Sequence, residues 1–145
     1  MLFQGEDASL KLEVVAYEFP ADGGSRDSDD RNWLVLRGTY TEEGITVKDT
    51  NPCLLTFELR ELSAGLKVLR SGVRDSYGSD FVEPYFEVTA ESDGEGGFLV
   101  AVSFAMPNTM EDLDTAEVEC TMTEQELRAL IEELDALAEK YPDRV

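Results

Sequence analysis

Six segments of the sequence have the hydrophobic pattern of β-strands. In the segments 9–18 and 115–122, apolar and polar residues alternate with a period of two, which is typical of strands with one buried face. The segment 98–106 is apolar on both faces, which is typical of a central strand. The six predicted strands are Ser9–Glu18, Asn32–Thr41, Ile45–Lys48, Phe81–Glu91, Phe98–Met106 and Thr115–Met122.

Two further segments have the spacing of amphipathic helices. The first carries leucines three and four residues apart, at Leu59, Leu62, Leu66 and Leu69. Thr56 is its candidate N-cap, and Gly72 follows its last leucine, where a helix end favours glycine. Gly65 inside it costs about 1 kcal/mol of helix propensity relative to alanine. The second helix starts with the capping-box sequence Thr123–Glu126 and ends before Pro142.

These elements follow one another in the order βββα-βββα. Strands joined by short turns pair antiparallel, and amphipathic helices need an apolar sheet face to cover. The sequence therefore predicts an α+β fold, with one antiparallel sheet of about six strands and two helices packed on it. Residues 9–145 are expected to form a single domain. Residues 1–8 are expected to be a disordered N-terminus or a tag remnant, because residues 2–5 resemble a viral 3C-protease site.

The acidic residues are concentrated in the second half of the chain. The formal net charge is −20, of which residues 1–74 contribute −4 (13 acidic against 9 basic residues) and residues 75–145 contribute −16 (19 against 3). Such a field repels nucleic acid and anionic membranes and attracts cationic surfaces. The sequence contains no run of 18 apolar residues, which is about the length that a membrane-spanning helix needs. The charge distribution favours a basic protein as the partner.

A salt-adapted bacterium offers a second explanation of the acidity. The chain has 4 lysines against 8 arginines, a bias that also fits a salt-adapted or high-GC organism. In that case the chain is a self-associating acidic structural domain without such a partner.

The absence of one residue type excludes several catalytic and metal-binding sites. The chain has no histidine, which excludes Ser-His-Asp and Cys-His catalysis and imidazole zinc sites. The sequence 94–97 joins two strands, so it is predicted to be a hairpin rather than a phosphate loop. The segment Asp27–Asp30 lacks the glycine and the glutamate of an EF-hand loop at the required positions. Cys53 and Cys120 are expected to be buried, reduced thiols. We therefore predict no catalytic residue, metal or cofactor.

Carboxylates in the second half are instead expected to form a binding surface. In an extended strand, Glu83 and Glu87 lie about 13 Å apart, too far for an acid/base pair, whereas pairing of Glu87 with a glutamate of another strand stays open. An aromatic residue framed by carboxylates on an exposed sheet face suits a basic partner. The candidate partner-binding residues are Glu83, Tyr85, Glu87, Glu91, Glu117 and Glu119. The alternative is that Phe81 and Tyr85 belong to the core and the glutamates form a solvated edge.

Three segments resemble motifs of the WapI family of bacterial immunity proteins. Residues 30–34 are similar to the family's D-x-N-W-L, residues 51–59 to D-P-C-L-L-T-x-E-L, and residues 81–87 to F-x-E-P-x-x-x-F, except that Glu87 occupies or neighbours the last aromatic position. Asn51 stands where the family has aspartate. These motifs are expected to be structural: Trp33 as a core anchor, Asn32 bonded to neighbouring backbone, and Pro52 with Cys53 at a tight strand-to-helix junction. Pro84 indicates an edge strand or a bulge.

The resemblance implies a function that agrees with the charge. It implies a non-enzymatic, cytoplasmic immunity protein, monomeric or weakly dimeric, that neutralises a cognate toxin. The expected partner is the basic C-terminal domain of a toxin, typically a nuclease, and neither nucleic acid nor membrane. An acidic inhibitor can occupy the basic groove of a nuclease, and electrostatic steering accelerates its capture.

Overall fold

The computed structural model describes residues 1–20, 31–109 and 114–144. Within these ranges the chain forms eight strands and two long helices in the order ββββα-ββββα. The elements are β1 (Leu2–Gln4), β2 (Ala8–Tyr17), β3 (Trp33–Glu42), β4 (Ile45–Leu55), α1 (Thr56–Ser71), β5 (Ser76–Gly78), β6 (Phe86–Ser92), β7 (Phe98–Ala105), β8 (Thr115–Met122) and α2 (Glu124–Lys140).

The strands form two antiparallel sheets of four, each in sequence order. The N-terminal sheet contains β1 to β4 and the C-terminal sheet contains β5 to β8. The predicted α+β class and antiparallel pairing are confirmed, but the prediction of a single sheet of about six strands is wrong. β1 and β5 have three residues each, too few to show an alternation. β4 runs to Leu55 through Pro52, which an edge strand tolerates because one side of it makes no ladder bonds.

The N-terminal residues differ from the expected disordered segment. Residues 2–4 pair with β2 as strand β1, with Phe3 opposite Leu10. The Phe3 side chain is 1% exposed and belongs to the hydrophobic core. Burial of a phenylalanine side chain contributes about 2–3 kcal/mol, which is enough to hold so short a strand in place.

The core lies between the inner faces of the two sheets and the two helices. Gly38 of β3 faces the ring of Phe104 of β7, and a Cβ at this glycine would overlap that ring. Glycine is needed at position 65 in the middle of α1 for a similar reason, because a Cβ there would overlap the ring of Tyr77 of β5. Both glycines therefore allow a neighbouring element to approach closely, which offsets the propensity cost of Gly65 in α1.

The helices have the predicted buried faces, and their ends differ in one respect. The four leucines of α1 are buried, and Gly72 ends the helix in the left-handed conformation, at φ 83°. Thr56 is the first residue of α1 rather than its N-cap, a position that Leu55 occupies. Thr123 and Glu126 form the predicted capping box of α2. Neither helix is long and apolar enough to cross a membrane, a result that covers the described residues only.

Candidate functional site

The outer face of the C-terminal sheet carries carboxylates on both sides of a strand of small residues. Along β7, the inner positions are apolar and buried, and the outer positions alternate with them. Ser103 lies between Glu87 of β6 and Glu117 of β8, and Ala101 lies between Thr89 and Glu119. One row further on, Leu99 lies between Glu91 and Thr121. We call the set Glu87, Glu91, Glu117 and Glu119 the acidic face.

The small side chains of β7 make this face concave. A depression of about 460 Å³ is lined by residues of β6, β7 and β8, among them Glu87, Glu117 and Glu119. A second depression of about 260 Å³ extends it towards β5 and includes Glu91. Because adjacent strands lie about 4.8 Å apart, the backbones carrying Glu87 and Glu117 are roughly 10 Å apart. The surface is therefore a shallow trough bordered by carboxylates.

The negative charge of the acidic face is not compensated within the described part of the chain. None of its four carboxylates makes a hydrogen bond or an ion pair with residues 1–20, 31–109 or 114–144. Some acidic residues elsewhere do have partners, as Glu124 pairs with Arg70 and Asp135 with Lys67, whereas others, such as Glu61 and Glu139, have no ion pair among the described residues. Four like charges on one surface, without an ion pair among the described residues, repel one another, and a cationic partner would relieve that repulsion.

Two of the predicted site residues do not lie on this face. The expectation that Glu83 and Tyr85 share a strand with Glu87 is wrong, because β6 begins only at Phe86 and residues 82–85 form a bend and a turn. Pro84 cannot donate to a ladder, which disfavours a longer strand here. Tyr85 packs against the core, as does Phe81, in agreement with the alternative interpretation of these aromatic residues.

The other four predicted residues are brought together, though not as pairs. Glu87 does not pair directly with Glu117 or Glu119, because β7 lies between their strands. Glu83 is half-buried close to Cys53, away from the acidic face. Burial raises the pKa of the Cys53 thiol to about 12, and the charges of Glu58 and Glu83 add to the rise. Glu83 and Tyr85 thus precede β6, and neither of them lines the depression that Glu87, Glu117 and Glu119 border.

Glu58 is a structural carboxylate that the sequence did not single out. It is 1% exposed and accepts hydrogen bonds from the backbone N–H groups of Leu55 (2.9 Å) and Val82 (2.8 Å). Burial raises the pKa of Glu58, and the two backbone bonds partly oppose that rise. The glutamate in the T-x-E-L motif, three residues after the strand end, is the signal that could have identified a helix-capping role.

The tryptophan of the first motif does not lie in the core. Trp33 is half-buried on the outer face of the N-terminal sheet, because its neighbours Leu34 and Leu36 point inwards and strand residues alternate. The expectation of a core anchor is wrong, and the alternation of β3 already indicated the opposite face. Asn32 does bond to backbone, but to that of Arg144, 112 residues later in the chain, whereas neighbouring backbone was expected: it accepts from the Arg144 N–H (2.7 Å) and donates to the Arg144 carbonyl (3.2 Å).

The described residues also show the state of the two thiols and of the glycine-rich turn. No group of three or more His, Cys, Asp or Glu side chains that could hold a metal ion occurs among the described residues. Cys53 and Cys120 are free and buried, and burial raises the pKa of Cys120 to about 11. The sequence 94–97 joins β6 and β7 as a hairpin, as predicted, with Gly94 and Gly96 at positive φ. The Asp27–Asp30 segment lies outside the described residues.

Comparisons with known proteins give one family. The family model described as "Immunity protein WapI-like family" matches residues 1–142. No curated protein matches this chain. Among solved structures, WHY1 from Arabidopsis thaliana is similar at a TM-score of 0.47 and 18% identity, covering 97% of this chain and 82% of WHY1. A guideRNA-binding protein complex bound to a gRNA is similar at a TM-score of 0.43 and 16% identity. The similarity covers 88% of this chain and 87% of the chain in that complex. At such TM-scores neither similarity bears on fold or function.

Proposed function

Because the chain belongs to the WapI-like immunity protein family, we propose that it binds the basic C-terminal domain of a cognate nuclease toxin and neutralises it without catalysis. The family match over residues 1–142 is the observation that carries this proposal. The toxin is delivered by a competitor or made by the same cell, and this chain acts in the cytoplasm, where the toxin would otherwise reach its substrate.

The acidic face is the surface that suits such a partner best. Its four carboxylates have no hydrogen bond or ion pair within the described ranges, so a basic groove can bind them without first breaking internal pairs. Charges held on strands are also preorganised, since the sheet fixes the backbone spacing between them. A complementary field steers the encounter and raises the association rate above that of a neutral pair.

Inhibition by this route is steric and electrostatic. A nuclease binds its substrate through cationic side chains that contact phosphates, and the trough between β6 and β8 offers carboxylates to the same side chains. One chain covers one substrate groove, so the complex is one to one. The chain itself needs no cofactor for this role.

The toxin domain encoded beside the gene for this chain tests the proposal. The purified chain should bind that domain with a dissociation constant below about 1 µM and should abolish its nuclease activity at equimolar concentration. Co-expression should restore growth to cells that carry the toxin. Full nuclease activity in the presence of excess chain would refute the proposal, even if the chain bound the toxin elsewhere.

A further inference from the structure

The outer face of the N-terminal sheet differs in charge from the rest of the molecule. Its central row places Thr39 of β3 between Lys11 of β2 and Lys48 of β4. In the next row, Arg37 lies between Glu13 and Thr50. Among the described residues of β2, β3 and β4, the charged ones on this face are therefore three cations and one carboxylate, a net charge of +2 on a chain of −20. We call Lys11, Arg37 and Lys48 the basic face.

The cations of this face are only weakly paired. Lys11 and Arg37 share one carboxylate, that of Glu13, at 3.9 Å and 3.4 Å. Lys48 is exposed and makes no ion pair within the described ranges. The Lys11 side chain is 57% exposed, so the shared pair leaves it open to a second partner. Exposed pairs of this kind stabilise a fold by well under 1 kcal/mol.

The same sheet face ends in a patch of apolar residues. Val35 of β3 lies between Ala16 and Pro52, and Trp33 begins the strand one row beyond. Val15 in the adjacent bulge is 43% exposed. Tryptophan next to exposed aliphatic residues is typical of binding surfaces. The face thus combines cations in its middle with apolar contact area at one end.

The two outer faces match each other in charge and spacing. In each, two like charges flank a small central residue: Lys11 and Lys48 beside Thr39, and Glu87 and Glu117 beside Ser103. Both pairs are two strands apart, about 10 Å between backbones. We propose that the basic face of one molecule binds the acidic face of a second copy of this chain.

Alignment of these two rows also brings the neighbouring rows together. With β3 and β7 parallel, Arg37 lies over the row of Ala101 and Glu119. One row further, Val35 lies over Leu99, which is half-exposed on the acidic face. Sheets that pack face to face keep their strands within about 30° of each other, so this alignment is sterically ordinary. Opposite charges and apolar residues then meet in the same register, with Glu13 as the one like charge in the row that lies over Glu119.

The contact is head-to-tail and small. A contact of three strands by four rows has an area on the order of 400 Å² on each partner, from the spacing and rise of β-strands. Interfaces of this size belong to the weak, transient class. Each molecule keeps one free face, so association continues into short chains or closed rings. Since self-association occupies the acidic face, a partner that binds that face competes with it.

Charge exchange between the faces tests this inference without any toxin, so its failure is separable from failure of the proposed function. The average mass is measured by sedimentation equilibrium up to about 1 mM protein, where weak association is detectable. Ionic strength is held at about 0.15 M, because salt screens both the contacts and the overall repulsion. The variants are K11E/K48E and E87K/E117K. Matched controls with the same net charges are R74E/R128E and E61K/E139K, which alter exposed residues away from both faces.

The inference predicts a specific pattern of masses. The unaltered chain and both controls gain mass with concentration, whereas each exchange variant associates at least tenfold more weakly. A one-to-one mixture of the two exchange variants regains association, since each acquires the charge that the other lost. Constant monomer mass of the unaltered chain, equal effects of variants and controls, or no recovery in the mixture would each overturn the inference. Circular dichroism identifies any variant that does not fold, and K11Q/K48Q then replaces K11E/K48E.

Discussion

The carboxylate of Glu58 accepts a hydrogen bond from the backbone N–H of Val82, at 2.8 Å. Its other oxygen accepts from Leu55 at the start of α1. One buried side chain thus joins the first turn of the helix to the turn that precedes β6, 24 residues later in the chain. The residues that carry the second and third family motifs are in this way connected in space.

Substitution of Glu58 by glutamine should destabilise the fold. The amide oxygen can accept only one of the two bonds well, because the amide nitrogen is a donor that faces the other N–H group. We expect a loss of about 1–3 kcal/mol in the free energy of unfolding, measured by urea denaturation. The matched control is E61Q, on the exposed side of the same helix, which should change the free energy of unfolding by less than about 0.5 kcal/mol.

The same substitution should change the pH dependence of stability. Burial raises the pKa of Glu58 above its ordinary value of 4.5, so the folded state holds this proton more tightly than the unfolded state. The contribution of this protonation to the free energy of unfolding is fully present below pH 4.5. It is lost as the pH rises through the pKa of Glu58 in the folded state. Removal of the titrating group in E58Q should flatten this fall. If the free energies of unfolding of the unaltered chain and of E58Q differ by the same amount from pH 4 to about pH 7, the pKa of Glu58 is not raised in the folded state.

Asp143 should show the opposite pH behaviour. It accepts hydrogen bonds from Arg60 (2.5 Å) and Thr56 (2.7 Å), and the bond from Arg60 is the main cause of its lowered pKa. Its contribution is present above the ordinary pKa of 3.8 and is lost as the pH falls through the folded value. Since this pair is exposed, D143N should cost only about 0–1 kcal/mol at pH 7. That difference should vanish in acid, as measured by thermal unfolding from pH 7 to pH 2.

Alanine at position 65 should destabilise the protein although alanine favours helices. In an open helix the change gains about 1 kcal/mol, but here the added Cβ overlaps the ring of Tyr77. Overpacking costs typically 1–3 kcal/mol, so G65A should lower the unfolding free energy. In a Y77A background the overlap is absent, and G65A should become stabilising. If G65A changes the free energy of unfolding in the same direction in both backgrounds, Tyr77 is not the cause of the destabilisation.

The thiols should react only when the protein unfolds. Burial raises the pKa of Cys53 to about 12 and that of Cys120 to about 11, so neither is a thiolate at neutral pH. Labelling by a thiol-specific reagent should therefore follow the urea unfolding transition. Rapid stoichiometric labelling of the native chain at pH 7 would contradict the buried positions.

Local pattern identified most elements of this fold, and tertiary contacts decided the rest. The alternation of β8 and the leucine spacing of α1 predicted both elements with their buried faces. The three-residue strand β1 has no period of its own and depends on the burial of Phe3. The contact of Glu58 with Val82 could not be predicted, because it requires knowing that two distant segments meet. Pro84 predicted an edge strand or a bulge, whereas it lies in a turn before β6 begins.

The candidate site was predictable only in part for a related reason. Sequence alternation placed Glu87 with Glu91 and Glu117 with Glu119, and each pair does share a face. The order β6-β7-β8, which sets the two pairs on either side of Ala101 and Ser103, follows from the sheet topology. That arrangement makes the surface a trough.

The association rate with the toxin domain tests the role of the acidic face most directly. It should be measured by stopped flow for the unaltered chain, E117K/E119K and the charge-matched control E61K/E139K, at about 0.15 M salt. We expect E117K/E119K to associate at least tenfold more slowly than the control, because two of the four steering carboxylates are reversed. Equal association rates for E117K/E119K and the control would contradict capture through this face.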